Sequence, residues 1–462
     1  MPRALIVTYQ WLPMFNVGVK HVANLCRYLP AAGWEPHILT KDWSEGPAPE
    51  DAFWGMTSQP TDASPSLKSA VSIPVVRTRY ALRDNRWLRQ QARLNAGRGA
   101  QHPLSPDAWA RRALNVAYPL YGHYPDMHRG WVEPAVAAGL TAVRQYGIGA
   151  VVSVCPPATS HIVGGEIARR AGIPWVVVFA DLFAFYQGPG DGRSRRLRWE
   201  NHVLAKSWLA GASRSACISP RMVEFVRDQY GVSGEVVVVP FDPDERKVAP
   251  HRAPDAPMRI VHAGSIYPND ERPEILFDAL DALVTAEPRV RQEIDVALVG
   301  SRCDDWLNEN LAGRRCAPMV RVVPRVSPAD AVRMQREADL LLTFNYQNAI
   351  ARAAGGTLSY PCKMFEHWNA GRPTIAVGAD PGEFVGRLLS ETGAGETADD
   401  APALAAILNR YLGELRNDGA IAFHGDEAAI ARYGAPEQAK RLGALLDVAS
   451  AERFGSWQRA RN

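Results

Sequence analysis

The chain has 462 residues, 47% hydrophobic and 22% charged, with a formal net charge of +3. That length exceeds one ordinary core and predicts two domains. The composition is globular, without a bias toward disorder, and the charge is too small to mark a nucleic-acid binder. Six cysteines are scattered with no C-x-x-C pair, which argues against a zinc site or a disulfide framework and points to a reducing cytoplasm. The apolar amino terminus is too short for a signal peptide, and no run approaches the ~20 residues of a membrane span.

Residues 4–8 form an apolar run expected of a central parallel strand. A loop with Pro13, Asn16 and Gly18 follows, then helical spacing over 20–32 stopped by Gly33, then a strand at 37–40. Gly18 is either a plain helix-start glycine or a point where the backbone approaches a phosphate or sugar. Residues 43–119 carry turn signals but little periodicity. Basic stretches at 83–89, 111–112 and 192–199 read as solvated faces, or as contacts to an anionic membrane surface or phosphorylated acceptor. A strand at 150–154 leads through Thr159 and Ser160, suited to cap a helix, into His161 and a helix to 171. The next strand, 175–179, ends at Ala180-Asp181-Leu182. His161 and Asp181 thus stand at carboxyl edges, where such residues are either structural or functional. Ser219-Pro220 starts a helix after the strand 214–218, and a strand follows at 236–239.

The polar, Pro-rich stretch 251–257 reads as a linker. Strand and helix alternation then restarts: strands at 259–262, 296–300, 320–323 and 339–344, helices at 274–283 and 329–337. A Pro-bearing loop ends at Lys363, followed by an amphipathic helix with Met364, Phe365 and Trp368 on its apolar side and Gly371 as its left-handed stop. Residues 374–377 form a buried strand. Lys363 adds positive charge where helix amides already favour anions, while Glu366 either caps amides or meets a ligand hydroxyl. Helices are expected near 402–415 and from 436 to about 451.

The segment K-x-F-E-x-x-x-x-G-R-P-x-I-A-V, from Lys363 to Val377, resembles the donor-nucleotide segment of retaining, family-4-like glycosyltransferases of the GT-B fold. Other segments resemble the same family in the same order. They are the opening 1–40, Asp126 to Trp131 in a P-D-x-x-x-x-W pattern, S-x-x-P-P-x-x-x-H from Ser153 to His161, and the loop from Gly264 to Arg272. The resemblance implies that Glu366 binds a ribose, that Gly264, Ser265 and Arg272 hold a pyrophosphate, and that the backbone around Val326 meets the base. It also places Gly18 beside donor phosphates and acceptor. A guanidinium suits the charge developing on a departing nucleoside diphosphate. Four departures stand out: Ala180 replaces an arginine, Leu358 replaces a second glutamate, Arg272 stands where lysine is usual, and Pro240-Phe241-Asp242 replaces N-G-x-D.

The expected fold is therefore α/β: two Rossmann-like, doubly wound domains facing across a cleft. These are 1–250 for the acceptor, 258–435 for the nucleotide-sugar, and a helix at 436–462 crossing back. The expected activity is metal-independent, hexosyl-type transfer from a UDP- or GDP-sugar to an acceptor hydroxyl with retention, and no separate cofactor. Asp181, His161 and Arg272 are the catalytic candidates. Glycans, lipid-linked glycans and small natural products fit as acceptors, in the cytoplasm or on its membrane face. A nucleotide-sugar epimerase and a non-catalytic nucleotide-sugar-binding partner are the rival readings.

Overall fold

In a computed structural model, the structure describes residues 1–44, 57–58, 65–79, 126, 128–182, 203, 205–247, 256–268, 270–346 and 358–459. The basic segments 83–89, 111–112 and 192–199, and most of the 251–257 linker, lie outside them. The chain divides into two units: Met1–Val238 with Gln438–Asn462, and Val239–Glu437.

The first unit is built on β1 (Arg3–Val7), α1 (Val17–Tyr28), β2 (Glu35–Lys41), β3 (Val75–Thr78), α2 (Val132–Tyr146), β4 (Ala150–Cys155), α3 (Thr159–Ala171), β5 (Trp175–Phe179), β6 (Arg214–Cys217), α4 (Pro220–Tyr230) and β7 (Gly234–Val236). The strands form one parallel sheet in the order β3-β2-β1-β4-β5-β6-β7. Strands covered on both faces must be apolar throughout, and Ala4 to Val7 and Val176 to Phe179 are each at most 2% exposed. Local chemistry sets several helix starts. The Asn16 side chain accepts from Val19 N (2.9 Å), and Ser219 accepts from Met222 N (3.2 Å) with Pro220 next.

The second unit repeats the plan with β8 (Met258–Ala263), α5 (Glu274–Ala286), β9 (Ile294–Val299), α6 (Asp304–Leu311), β10 (Val320–Val323), α7 (Pro328–Glu337), β11 (Leu340–Phe344), α8 (Lys363–Ala370), β12 (Thr374–Val377), α9 (Phe384–Thr392), β13 (Gly395–Ala398) and α10 (Ala401–Asp418). Its parallel sheet runs β10-β9-β8-β11-β12-β13. One face buries Ile260, Leu298, Leu342 and Phe344 under α5 and α10; the other buries Val261, Val299 and Leu341 against Ala370. Each such aliphatic side chain contributes about 1.5–3 kcal/mol.

The second unit begins ahead of the Pro-rich segment because residues 239–247 pack within it. Phe241 bridges to Gly434 and sets its ring edge-on to Trp368 (6.0 Å), and the Asp242 carbonyl accepts from Asn369 Nδ2 (2.9 Å). The last helix, α11 (Ala435–Arg459), joins the first unit from Gln438 onward. Gln438 Oε1 accepts from Val238 N (2.9 Å), and Asp447 accepts from Trp34 Nε1 (2.9 Å). Among the described residues no helix is long and apolar enough to cross a membrane.

Candidate functional site

In a doubly wound sheet, ligands collect outside the carboxyl ends of the strands where strand order reverses. In the second unit that point lies between β8 and β11. β8 turns there through Gly264, at φ +127°. Gly264 N bonds to Val299 O (2.8 Å) and Ile266 N to Ser301 O (2.9 Å), which clamps the loop to the end of β9.

Lys363 is the first residue of α8. Its side chain crosses above Gly264, and Nζ donates to Ser265 O (3.0 Å) while lying 3.4 Å from His262 Nε2. Burial and then the Lys363 charge hold His262 well below the usual histidine range, so its ring is neutral. A neutral imidazole has one N–H. Nδ1 lies 3.0 Å from Leu342 O and carries it; Nε2, also 3.2 Å from Gly264 O, then has no proton to give that carbonyl and faces the ammonium as acceptor. The tautomer is assigned from this pattern.

Burial also lowers the Lys363 pKa, opposed by the charges of Glu271 and then Glu366. Glu271 is 4% exposed, and its carboxylate accepts from Tyr267 N (2.9 Å). Burial pushes this carboxyl up to about 7, against the Tyr267 hydrogen bond and the Lys363 charge. A lysine at a helix N-terminus runs against the macrodipole. The cation, the amide ends and a glycine with no Cβ have the chemistry that suits an anion, whose charge would offset that conflict.

Glu366 stands in the first turn of α8, half-buried. Arg272 is half-exposed and pairs with Glu274 (3.4 Å) at the start of α5. Gly264, Ser265 and Lys363 therefore meet directly, with Glu366 one turn along the same helix and Arg272 at the far end of the Gly264 loop. Val326 follows β10, two strands from β8, and rests on the apolar cluster of Val261 and Leu341. Leu358, in the place of the second glutamate, is 7% exposed.

In the first unit, Gly18 is the second residue of α1, where a Cβ would stand 2.9 Å from Gln10 Oε1. His161 lies in the first turn of α3, 1% exposed, with Nδ1 2.7 Å from Ser153 Oγ and its ring edge-on to Phe179 (4.8 Å). Burial lowers its pKa to about 3. Asp181 follows β5, half-buried, and accepts from its neighbour Leu182 N (2.8 Å). The neighbouring strands β4 and β5 thus bring His161 and Asp181 to one sheet edge. Arg272 belongs to the other unit.

The helix start at Thr159 differs from the expected hydroxyl cap. Its N-cap is Ala158, and Asp126 supplies the acceptor instead, taking Thr159 N (2.8 Å) and Thr159 Oγ1 (2.5 Å). Asp126, His262 and Glu271 were absent from the sequence-derived candidates. A lone glutamate in the polar stretch after β8 was the only signal for Glu271, and it reads locally as a turn residue.

Two doubly wound parallel sheets, one carrying this cationic switch point, define the GT-B fold. Residues 18–242 match the family model of the glycosyl transferase 4-like domain. The match covers just under half of the chain and lies almost wholly in the first unit. The HepE protein of Anabaena, solved in complex with UDP, is 14% identical over 97% of this chain and 100% of its own, with a TM-score of 0.58. Sucrose-phosphate synthase from Thermosynechococcus elongatus is 16% identical, covering 99% and 98%, with a TM-score of 0.52. The lipopolysaccharide outer core galactosyltransferase WaaB, in its apo form, is 14% identical, covering 97% and 99%, with a TM-score of 0.52. No curated protein sequence matches the chain.

Proposed function

We propose that the second unit binds a nucleotide-sugar and that the chain transfers its sugar, a hexosyl group, to an acceptor hydroxyl with retention. The observation that carries this is Lys363: a helix-terminal cation laid across Gly264 onto the Ser265 carbonyl. It meets the donor pyrophosphate together with the loop amides, and Arg272 adds a second cation. Glu366 takes the ribose hydroxyls, and the backbone around Val326 takes the base. Charge on the departing diphosphate is then met by the protein without a metal. UDP is the first nucleotide to test, since HepE was solved with it; GDP is the second. Asp181 and His161 serve the acceptor side, in polysaccharide, lipid-linked glycan or natural-product synthesis. The setting is the cytoplasm or its membrane face.

The test is incubation with UDP- and GDP-sugars, with and without cell extract, following nucleotide release and product mass. Nucleotide release coupled to a mass gain of one sugar on an acceptor supports transfer. Conversion of donor with no acceptor identifies an epimerase, and nucleotide binding without turnover identifies a non-catalytic partner.

A further inference from the structure

The loop after β8 carries a buried acid that the donor reading leaves without a task. Glu271 Oε2 accepts from Tyr267 N (2.9 Å), while Glu271 N and Asp270 N both donate back to Tyr267 O (2.7 and 2.9 Å). Side chain and backbone together close a tight turn that starts at Tyr267. Just upstream, Gly264 N and Ile266 N are pinned to Val299 O and Ser301 O (2.8 and 2.9 Å). Ser265 stands between those two bonds, and its carbonyl is the one that receives Lys363 Nζ (3.0 Å). The ammonium and the Glu271 carboxylate thus engage the same loop at positions two residues apart.

The charges around Glu271 come from three elements. Lys363, from α8, is the cation that acts on it, and Asp270, in its own turn, opposes its ionisation. From the start of α6, Cys303 faces it: burial pushes that thiol up, and the charges of Asp304 and Glu271 push the same way. Asp304 itself accepts from Ser301 Oγ. Around Lys363 stand the neutral His262 ring and Glu366. Arg272, the next residue in the chain, pairs with Glu274 instead (3.4 Å).

An ionised Glu271 therefore offsets part of the Lys363 charge. A diphosphate bound at Lys363 places a second anion near the same cation, and anions so close disfavour each other's charged forms. Burial already holds the Glu271 carboxyl at about 7, so near neutral pH a proton from solvent removes that repulsion at little cost. A protonated carboxyl still has an oxygen to accept from Tyr267 N. The turn keeps its bond, and Lys363 keeps its full charge for the ligand.

We propose that Glu271 is a positioning residue for the donor, and that a diphosphate binds at Lys363 together with a proton taken from solvent onto Glu271. This rests on the donor reading of Lys363. Binding is then tightest where Glu271 is neutral and weakens as pH rises through 7.

The test is calorimetric titration of the full chain with UDP at pH 6, 7 and 8, for wild type and Glu271→Gln. Glutamine keeps an acceptor for Tyr267 N and cannot titrate. Wild type should lose about threefold or more in affinity from pH 6 to pH 8 relative to the variant; the comparison cancels the ionisation of UDP itself. At pH 7.5 the terminal phosphate of UDP has almost no proton left to release. Wild type titrated there in HEPES and in Tris, whose heats of ionisation differ, should show net proton uptake. That measurement needs no variant and decides the matter if Glu271→Gln does not fold. Parallel pH curves for the two proteins, or no proton uptake by wild type, overturn this inference and leave the donor reading in place. A wild-type protein that binds neither UDP nor GDP removes the donor reading, and this inference with it.

Discussion

Gly264 and Lys363 occupy one shared volume: a Cβ on residue 264 would stand 2.4 Å from Lys363 Cε and 2.6 Å from its Nζ. The backbone of Gly264, at φ +127°, is also one that other residues rarely adopt. Gly264→Ala should therefore cost about 1–3 kcal/mol of stability and displace the ammonium. UDP affinity should fall about tenfold or more, read by calorimetry beside a urea melt. An alanine variant with wild-type affinity would show that the lysine does not touch the nucleotide.

Glu366 sits one turn from Lys363 on the same helix face. Hydrogen bonds to a charged carboxylate are worth about 1.5–3 kcal/mol, so Glu366→Ala should weaken UDP binding about ten- to hundredfold. Glu366→Gln, which keeps one acceptor, should lose less. Titration calorimetry checks both, and equal affinities across the three proteins would dismiss the ribose assignment.

Glu271 makes stability depend on pH. Its carboxyl titrates near 4.5 when free and near 7 in the fold, because burial disfavours its charge. The fold thus favours the protonated form. That contribution is complete below pH 4.5 and is lost as pH rises through 7. The change is on the order of 3 kcal/mol. Lys363 and Asp270 act on the same group, in opposite directions. Urea midpoints between pH 4.5 and 8 should show wild type losing ground to Glu271→Gln as pH rises, and parallel curves would refute this.

Asp126 caps α3 from outside the helix, through two bonds to Thr159. Asp126→Ala should cost about 1–2 kcal/mol, as loss of an N-cap does, with Asp126→Asn intermediate. Chemical denaturation measures this. Little change in either variant would mean that water replaces the carboxylate.

Much of this protein is written locally. Apolar runs such as Ala4 to Val7 fit strands buried on both faces. Ser219 with Pro220 and the left-handed Gly371 (φ +63°) mark helix ends through bonds to near neighbours. The stretch from Lys363 to Val377 carries its helix, stop and strand in one short span, so that helix–strand unit was legible from it. Tertiary structure decided the rest, because the partners are far apart in sequence. His262 becomes an acceptor for Lys363 only when residues 101 apart meet. Asp126 reaches Thr159 across 33 positions, and Gln438 ties the last helix to Val238 across 200. Burial, which makes His21 and His161 neutral and raises Glu271, is likewise a property of what surrounds a residue, and no local pattern encodes it.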